Sequence, residues 1–274
     1  MIKWDGHSHS MFCRHGSGED TGKMIEKAIE LKFERYSITE HAPLPLEIFD
    51  DPELAADFAL SMDELPDYFS HIKDLKKIYS DRIEILSGLE LDYIIDYDSF
   101  FDDFLDQYLP YLDDLIISLH MIKGKNGISP IDYLPESFDS ELIQFYGSVE
   151  EVHKAYWNDV KRLLDKPIKT KHNNKRIGHL GLINKYQKMY PANFEEAHYQ
   201  SFYKELFFQI KEKGWDLDFN VAGLRKEMCG EVYINDSMLK WCKHFGIKLI
   251  YGSDAHEVDS IGRNYDLYLK KVND

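Results

Sequence analysis

Trp4-Asp5-Gly6-His7-Ser8-His9 carries a short buried-strand pattern into a pair of imidazoles, and the same arrangement returns along the chain. Residues i and i+2 of a strand project to the same side, so His7 and His9 can reach one ion together. Ser37-Ile38-Thr39-Glu40-His41, Ile85-Leu86-Ser87-Gly88-Leu89-Glu90, Ile117-Ser118-Leu119-His120 and Ile177-Gly178-His179 each end on a metal-binding side chain, and Tyr251-Gly252-Ser253-Asp254-Ala255-His256 closes the series with two. One strand-end histidine is usually satisfied structurally. Six of seven strand candidates ending this way predict a metal site built on one face of a barrel.

The predicted strands cover 2–6, 35–39, 83–89, 115–119, 176–179, 217–221 and 248–252, and amphipathic helical spacing fills 21–31, 68–78, 149–164, 199–211 and 237–244. Strand alternating with helix predicts an α/β fold with a parallel sheet, and a barrel of this length forms one domain, 1–274. Two connections exceed what a return helix needs. His41 to Tyr68 holds Pro43, Pro45, Pro52 and Pro66 with Phe49 and Phe58; Met121 to Tyr146 holds Gly124, Gly127, Pro130 and Pro135 with Tyr133, Phe138 and Phe145. Both leave the ligand-bearing face, as a lid or specificity wall around a small substrate would. Each of these aromatics taken singly is more readily explained as ordinary packing.

The 33 basic and 49 acidic residues leave a net charge of −16, which opposes a phosphate backbone at long range and argues against extended nucleic-acid contacts. Cys13, Cys229 and Cys242 are odd in number and widely spaced, which argues against a disulfide framework or zinc ribbon and for a reducing, cytoplasmic setting. Met1-Ile2-Lys3 runs straight into the first strand, and no apolar run is long enough to span a bilayer, so neither export nor a membrane is expected.

The ligand candidates are His7, His9, His15, His41, Glu90, His120, His179, Asp254 and His256. Glu90 stands apart because a carboxylate can bridge two ions where an imidazole cannot, so more than one ion is expected. Glu40 competes with His41, but neighbours at a strand end face opposite ways and His41 is preferred. Cys13 is expected to be a small buried residue, although a thiol there could in principle ligate a soft ion. His71, His153, His172, His198 and His244 lie on predicted helices or in a polar loop and are assigned to solvent or surface packing.

Asp5-Gly6-His7-Ser8-His9, Phe12-Cys13-Arg14-His15, Thr39-Glu40-His41-Ala42-Pro43-Leu44, Gly88-Leu89-Glu90-Leu91-Asp92-Tyr93, Ser118-Leu119-His120 and Gly252-Ser253-Asp254-Ala255-His256 resemble the polymerase-and-histidinol-phosphatase (PHP) family of metal-dependent phosphoesterases over nearly the whole chain. Glu40-His41-Ala42-Pro43-Leu44, Gly178-His179-Leu180 and Asp218-Phe219-Asn220-Val221-Ala222-Gly223-Leu224 resemble its histidinol-phosphate phosphatase branch, with Val221 where threonine is usual. The resemblance implies a distorted seven-stranded (β/α)7 TIM-like barrel holding three divalent metal ions, zinc, iron or manganese. It implies that His7, His9, Glu90 and Asp254 hold the first ion, Glu90, His120 and His179 the second, and His15, His41 and His256 the third.

Three dications, two carboxylates and a bridging hydroxide leave a pocket of about +3, which suits the dianion of a small-molecule phosphate monoester. The branch resemblance implies L-histidinol phosphate as that monoester, and the expected reaction is in-line attack of the bridging hydroxide on it, with Glu90, Asp254 and His256 catalytic and Asp254 passing a proton to the leaving oxygen. Lys161, Arg225 and Arg263 are the candidates for gripping phosphate, the last two because they follow the sixth and seventh strands. The competing readings are a nuclease or another phosphoesterase of the same family, a non-catalytic metal-stabilised module, and an amidohydrolase-type barrel. Charge disfavours the first, nine protein ligands for three ions leave open positions against the second, and Glu90 removes the need for the carboxylated lysine of the third.

Overall fold

A computed structural model describes residues 2–45, 47–49, 52–168, 170 and 175–273, with the side chains of 52–54 and 196–198 set aside. Seven parallel strands follow one another around a barrel: β1 (Trp4–Asp5), β2 (Arg35–His41), β3 (Glu84–Asp92), β4 (Asp114–Ser118), β7 (Lys175–Ile177), β8 (Asp216–Asn220) and β9 (Leu249–Gly252). Their inner and outer faces are both covered, and strands such as β2 and β8 bury polar side chains (Ser37, Thr39, Asp218, Asn220) between apolar ones (Tyr36, Ile38, Leu217, Phe219). The last strand returns to the first. Gly6 N donates to Tyr251 O at 2.8 Å, Asp254 N to His7 O at 2.9 Å and His9 N to Ala255 O at 2.9 Å, which closes the barrel just below the predicted site.

The connecting helices are α1 (Thr21–Glu30), α2 (Pro52–Phe58), α3 (Leu65–Ile78), α4 (Asp98–Tyr108), α5 (Val149–Leu164), α6 (Glu196–Glu212), α7 (Asp236–Phe245) and α8 (Tyr265–Asn273). Asp20, Ser148 and Asn235 each cap the helix that follows by accepting a backbone N–H with the side chain. Helices α2, α4 and α8 lie outside the predicted set, as does the antiparallel hairpin of β5 (Met121–Gly124) and β6 (Gly127–Pro130) inside the second long connection. No described helix is long and apolar enough to cross a membrane.

Two glycines let the barrel mouth close tightly. A side chain at Gly178 would collide with Ser118 Oγ and Ile116, and one at Gly252 with the Asp218 carboxylate and His7 Cβ. Bare backbone at these positions lets polar groups from neighbouring strands approach the barrel axis.

Candidate metal centre and substrate cavity

Glu90, at the mouth end of β3, is 1% exposed and is surrounded by imidazoles from four other strand ends. Its Oε2 lies 3.2 Å from His7 Nε2, 3.7 Å from His9 Nε2 and 3.3 Å from His41 Nδ1. Its Oε1 lies 2.8 Å from His179 Nε2 and 3.7 Å from His120 Nε2. The two oxygens therefore face two different imidazole sets, as a bridging carboxylate would. Asp254 Oδ1 stands 3.2 Å from His9 Nε2 and 3.7 Å from His7 Nε2. His256 Nε2 meets His15 Nε2 at 3.2 Å, and its Nδ1 donates to Asp254 O at 3.0 Å.

Every ligand predicted from sequence is thus brought to the mouth. Neighbouring donors of a zinc-sized ion lie roughly 3.3–3.8 Å apart, and the separations here, from 2.8 to 3.7 Å, reach that range with small side-chain adjustments. His7 Nε2, His41 Nε2 and His179 Nδ1 are buried without a hydrogen-bond partner, which a protein interior rarely tolerates unless something else completes them. Three donor groups stand out: His7, His9 and Glu90; His41, Glu90 and His120; and His9, Cys13, His41 and His256. The donor chemistry fits divalent metal ions.

Of the supporting carboxylates, Asp218 and Asp92 were not singled out from sequence as functional, and Glu40 was weighed only as a ligand. Asp218 Oδ2 holds His7 Nδ1 at 2.7 Å, Glu40 Oε1 holds His9 Nδ1 at 3.3 Å and Asp92 Oδ1 holds His120 Nδ1 at 2.9 Å. Each fixes the tautomer that leaves Nε2 facing the centre. Glu40, which competed with His41 in the sequence, turns the other way: its Oε2 takes Ser10 Oγ at 2.6 Å and Ser10 N at 2.9 Å, while His41 lines the cavity. Their sequence signal was weak but present, since Asp92 stands two residues after Glu90 and Asp218 two before Asn220. Asn220 Nδ2 donates to Asp218 Oδ2 at 3.0 Å and to Asp254 Oδ2 at 3.1 Å, tying the two strand ends together. Asp254 adopts the left-handed region at φ 53°, which is costly for a residue with a side chain and is held there by these bonds.

Burial opposes charging of His9, but Asp254 and Glu40 bonded to it raise its pKa to about 9. Burial likewise opposes His120, and Asp92 and Glu90 raise it to about 10. His256 is pushed down to about 3 by burial and by the charge on His9. Burial works against Glu90 and Asp254 as anions, yet the surrounding imidazoles hold both well below the ordinary carboxylate range. Without ions, protons perform the neutralisation.

The centre floors a cavity of about 760 Å³. Its walls include Arg14, Arg225, Lys226 and Lys185 among cations and Asp57, Asp132 and Glu257 among anions. The two long connections meet across it, Phe58 of the first against Tyr133 of the second with ring centroids 5.5 Å apart. Phe138 is instead a buried core residue and Tyr146 is bonded to Lys123 O, so ordinary packing accounts for them.

Of the three basic candidates the structure brings only Arg225 to the cavity, on the short 3-10 turn after β8. Lys161 points from α5 toward α6, 3.5 Å from Glu205 and over the Phe202 ring, and does not line the cavity. Arg263 reaches toward Glu257 at 3.8 Å behind the wall, also outside the lining. Strand order located Arg225 and Arg263 after β8 and β9, but only Arg225 turns into the cavity. His153, expected at the surface, is 3% exposed, packs 5.7 Å from the Phe194 ring, and is pushed down to about 4 by burial. It sits on the apolar stripe of α5 with Tyr156, Trp157 and Val160. His71 is half-buried against Phe12, His244 is exposed, and His172 and the His198 side chain lie outside what the structure describes.

Residues 5–222 match the PHP domain. The chain belongs to the PHP family. It is 38% identical over 271 residues to the histidinol-phosphatase of Bacillus subtilis, covering 99% of this chain and 100% of that one. A probable histidinol-phosphatase of Deinococcus radiodurans is 24% identical over 98% of this chain and 92% of its own length. Among solved structures, hisK from Listeria monocytogenes superimposes with a TM-score of 0.91 at 37% identity, over 97% of this chain and all of that one. The histidinol phosphate phosphatase of Lactococcus lactis, complexed with zinc, L-histidinol and phosphate, has a TM-score of 0.67 at 23% identity over 98% and 94% of the two chains. This family membership carries the fold expected from sequence.

Proposed function

We propose that this chain is a histidinol-phosphate phosphatase, releasing histidinol and inorganic phosphate at a divalent-metal centre in the barrel mouth. The observation that carries this reading is the convergence of five imidazoles on the two oxygens of Glu90, beneath a cavity that also presents Arg225. Full-length identity to a histidinol-phosphatase supports the substrate.

Three ions are the count we favour, held by His7, His9, Glu90 and Asp254; by Glu90, His120 and His179; and by His15, His41 and His256. Zinc, iron and manganese all suit these donors. Such ions, when bound, activate water at neutral pH and neutralise charge on a phosphoryl group. The protein's own groups do the rest. Arg225, which makes no ion pair among the described residues, is available to grip a phosphate oxygen. Asp254, oriented by Asn220, accepts a proton from the attacking water at one oxygen and returns it to the leaving alkoxide, while His256 stands next in line. Asp57, Asp132 and Glu257 supply negative charge for the substrate ammonium, and Phe58 and Tyr133 an aromatic wall for its imidazole. The whole chain, 1–274, works as one domain, because Asp254 and His256 complete a site that His7 begins. Its free thiols fit the cytoplasm.

The test compares kcat/KM for histidinol phosphate with that for sugar and aryl phosphates on metal-loaded protein. A preference of roughly 10³-fold or more is expected, since a site with polar groups placed for ammonium and imidazole rejects substrates that leave them unpaired. Equal turnover of a simple aryl phosphate reduces the assignment to a broad metal-dependent phosphoesterase.

A further inference from the structure

Cys13 lies in the loop between His9 and His15, is 7% exposed, and has its sulfur inside the donor cluster at the mouth. One donor atom each from His9, Cys13, His41 and His256 lies within 4.8 Å of all the others. Tetrahedral ligation of a zinc-sized ion by nitrogen and sulfur needs separations of roughly 3.4–3.8 Å, which small side-chain rotations reach from this arrangement. A further observation points to a cation beside the sulfur. His41 Nδ1 faces Glu90, whereas its Nε2 is buried and has no partner.

The loop is shaped to hold this contact. A side chain at Gly16 would stand 3.2 Å from Cys13 Cβ and 3.3 Å from His256 O, so glycine lets the Cys13 turn press against the end of β9. The other two thiols differ. Cys229 donates to Glu231 O at 3.7 Å and Cys242 is buried on α7, and neither belongs to a donor group.

We propose that Cys13 Sγ is a ligand of the third ion, together with His41 and His256, and that this sulfur makes the position selective for thiophilic divalent ions such as zinc over hard ions such as manganese. The thiol proton passes to solvent on coordination. His15, the most solvent-facing of the cluster, then closes the remaining position or yields it to substrate. Thiolate favours soft ions and imidazole alone discriminates poorly, so the sulfur sets the preference. This inference rests on the three-ion reading above.

Cobalt(II) tests it without reference to turnover. Chelator-stripped protein is reloaded with cobalt, its content is measured by elemental analysis, and the near-ultraviolet sulfur-to-cobalt charge-transfer band is recorded for wild type, Cys13→Ser and Cys229→Ser. The band should be present in wild type and Cys229→Ser and absent in Cys13→Ser, whose zinc-over-manganese preference at one ion position should fall at least about tenfold. Three cobalt ions in wild type with no band overturns the ligand assignment and leaves the three-ion centre standing. One ion or fewer with no band overturns both. Persistence of the band in Cys13→Ser assigns the sulfur elsewhere and overturns the proposal, whether or not that variant folds as well as wild type.

Discussion

The barrel is polar at both ends of its interior, and the two ends treat their polar groups oppositely. Toward the floor, Arg176 donates to both oxygens of Asp114 at 2.7 and 2.8 Å and to Gly6 O at 2.5 Å; Ser37 Oγ donates to Asp114 at 2.6 Å and accepts from Trp4 Nε1 at 2.9 Å. Of the polar atoms in this network, Arg176 Nε alone lacks a partner among the described residues. At the mouth, imidazoles are held from behind by Asp218, Glu40 and Asp92, while His7 Nε2, and Nε2 of the neighbouring His41, go unpaired. A buried polar group that is satisfied specifies structure, and one that is oriented yet unsatisfied marks a place for something the chain does not itself contain.

If that contrast is right, mutation should separate activity from stability by position. Glu90→Gln should lower kcat by roughly 10³-fold and reduce metal content, because it removes the charge facing two imidazole sets; retained activity in steady-state assays would break the bridging model. Arg176→Met should do the converse, costing about 3–5 kcal/mol in denaturant unfolding by leaving Asp114 buried and unpaired, with ion content unchanged in the folded fraction. Loss of ions in that variant would show that the floor also supports the site. Asp218→Asn and Asp92→Asn probe the back of the mouth, and each should weaken metal affinity about 10–100-fold in competition with a chromogenic chelator. Undiminished affinity would mean that the strand ends alone orient His7 and His120.

A smaller effect lies in pH. In ion-free protein His9 and His120 have pKa values of about 9 and about 10, against 6.5 for an ordinary imidazole. Groups raised in this way stabilise the fold fully below pH 6.5 and lose that contribution as pH climbs toward 9 and 10. His256, at about 3, is neutral in the folded chain throughout and in the unfolded chain once pH is well above 6.5, so it adds little to the slope there. Ion-loaded protein has no such protons to lose. The Tm gap between loaded and chelated samples should therefore widen from pH 7 to pH 9.5, and a constant gap would remove proton-for-ion exchange from the picture.

The mouth was legible in the sequence because strand geometry is periodic: a ligand at a strand end lands on the rim whatever lies between strands. His7, His41, Glu90, His120, His179 and Asp254 all follow that rule. The bonds behind them did not show, since whether Asp92 or Asp218 supports an imidazole depends on which neighbouring strand it faces. Direction around the axis misled for Arg263, which follows β9 but reaches Glu257 outside the cavity lining, and Lys161, in the last turn of α5, pairs with Glu205 instead. Helix α4 carries Phe100, Phe101, Phe104 and Leu105 at helical spacing, yet its many aspartates mask the stripe. The hairpin of β5 and β6 is too short, at four residues a strand, to rise above the glycines and proline around it. His153 shows the limit of judging a histidine by element alone, because α5 turns it inward.

The seam between the first and last strands has a temporal consequence. His7 O receives Asp254 N, and His9 Nε2 meets Asp254 Oδ1 across 245 residues of sequence. A chain still emerging from the ribosome without β9 has an open sheet and imidazoles that lack their last two partners. Joining such distant segments is the slowest kind of contact to form. Ion capture therefore falls at the end of folding, and the occupied centre acts as a latch that reports a finished barrel.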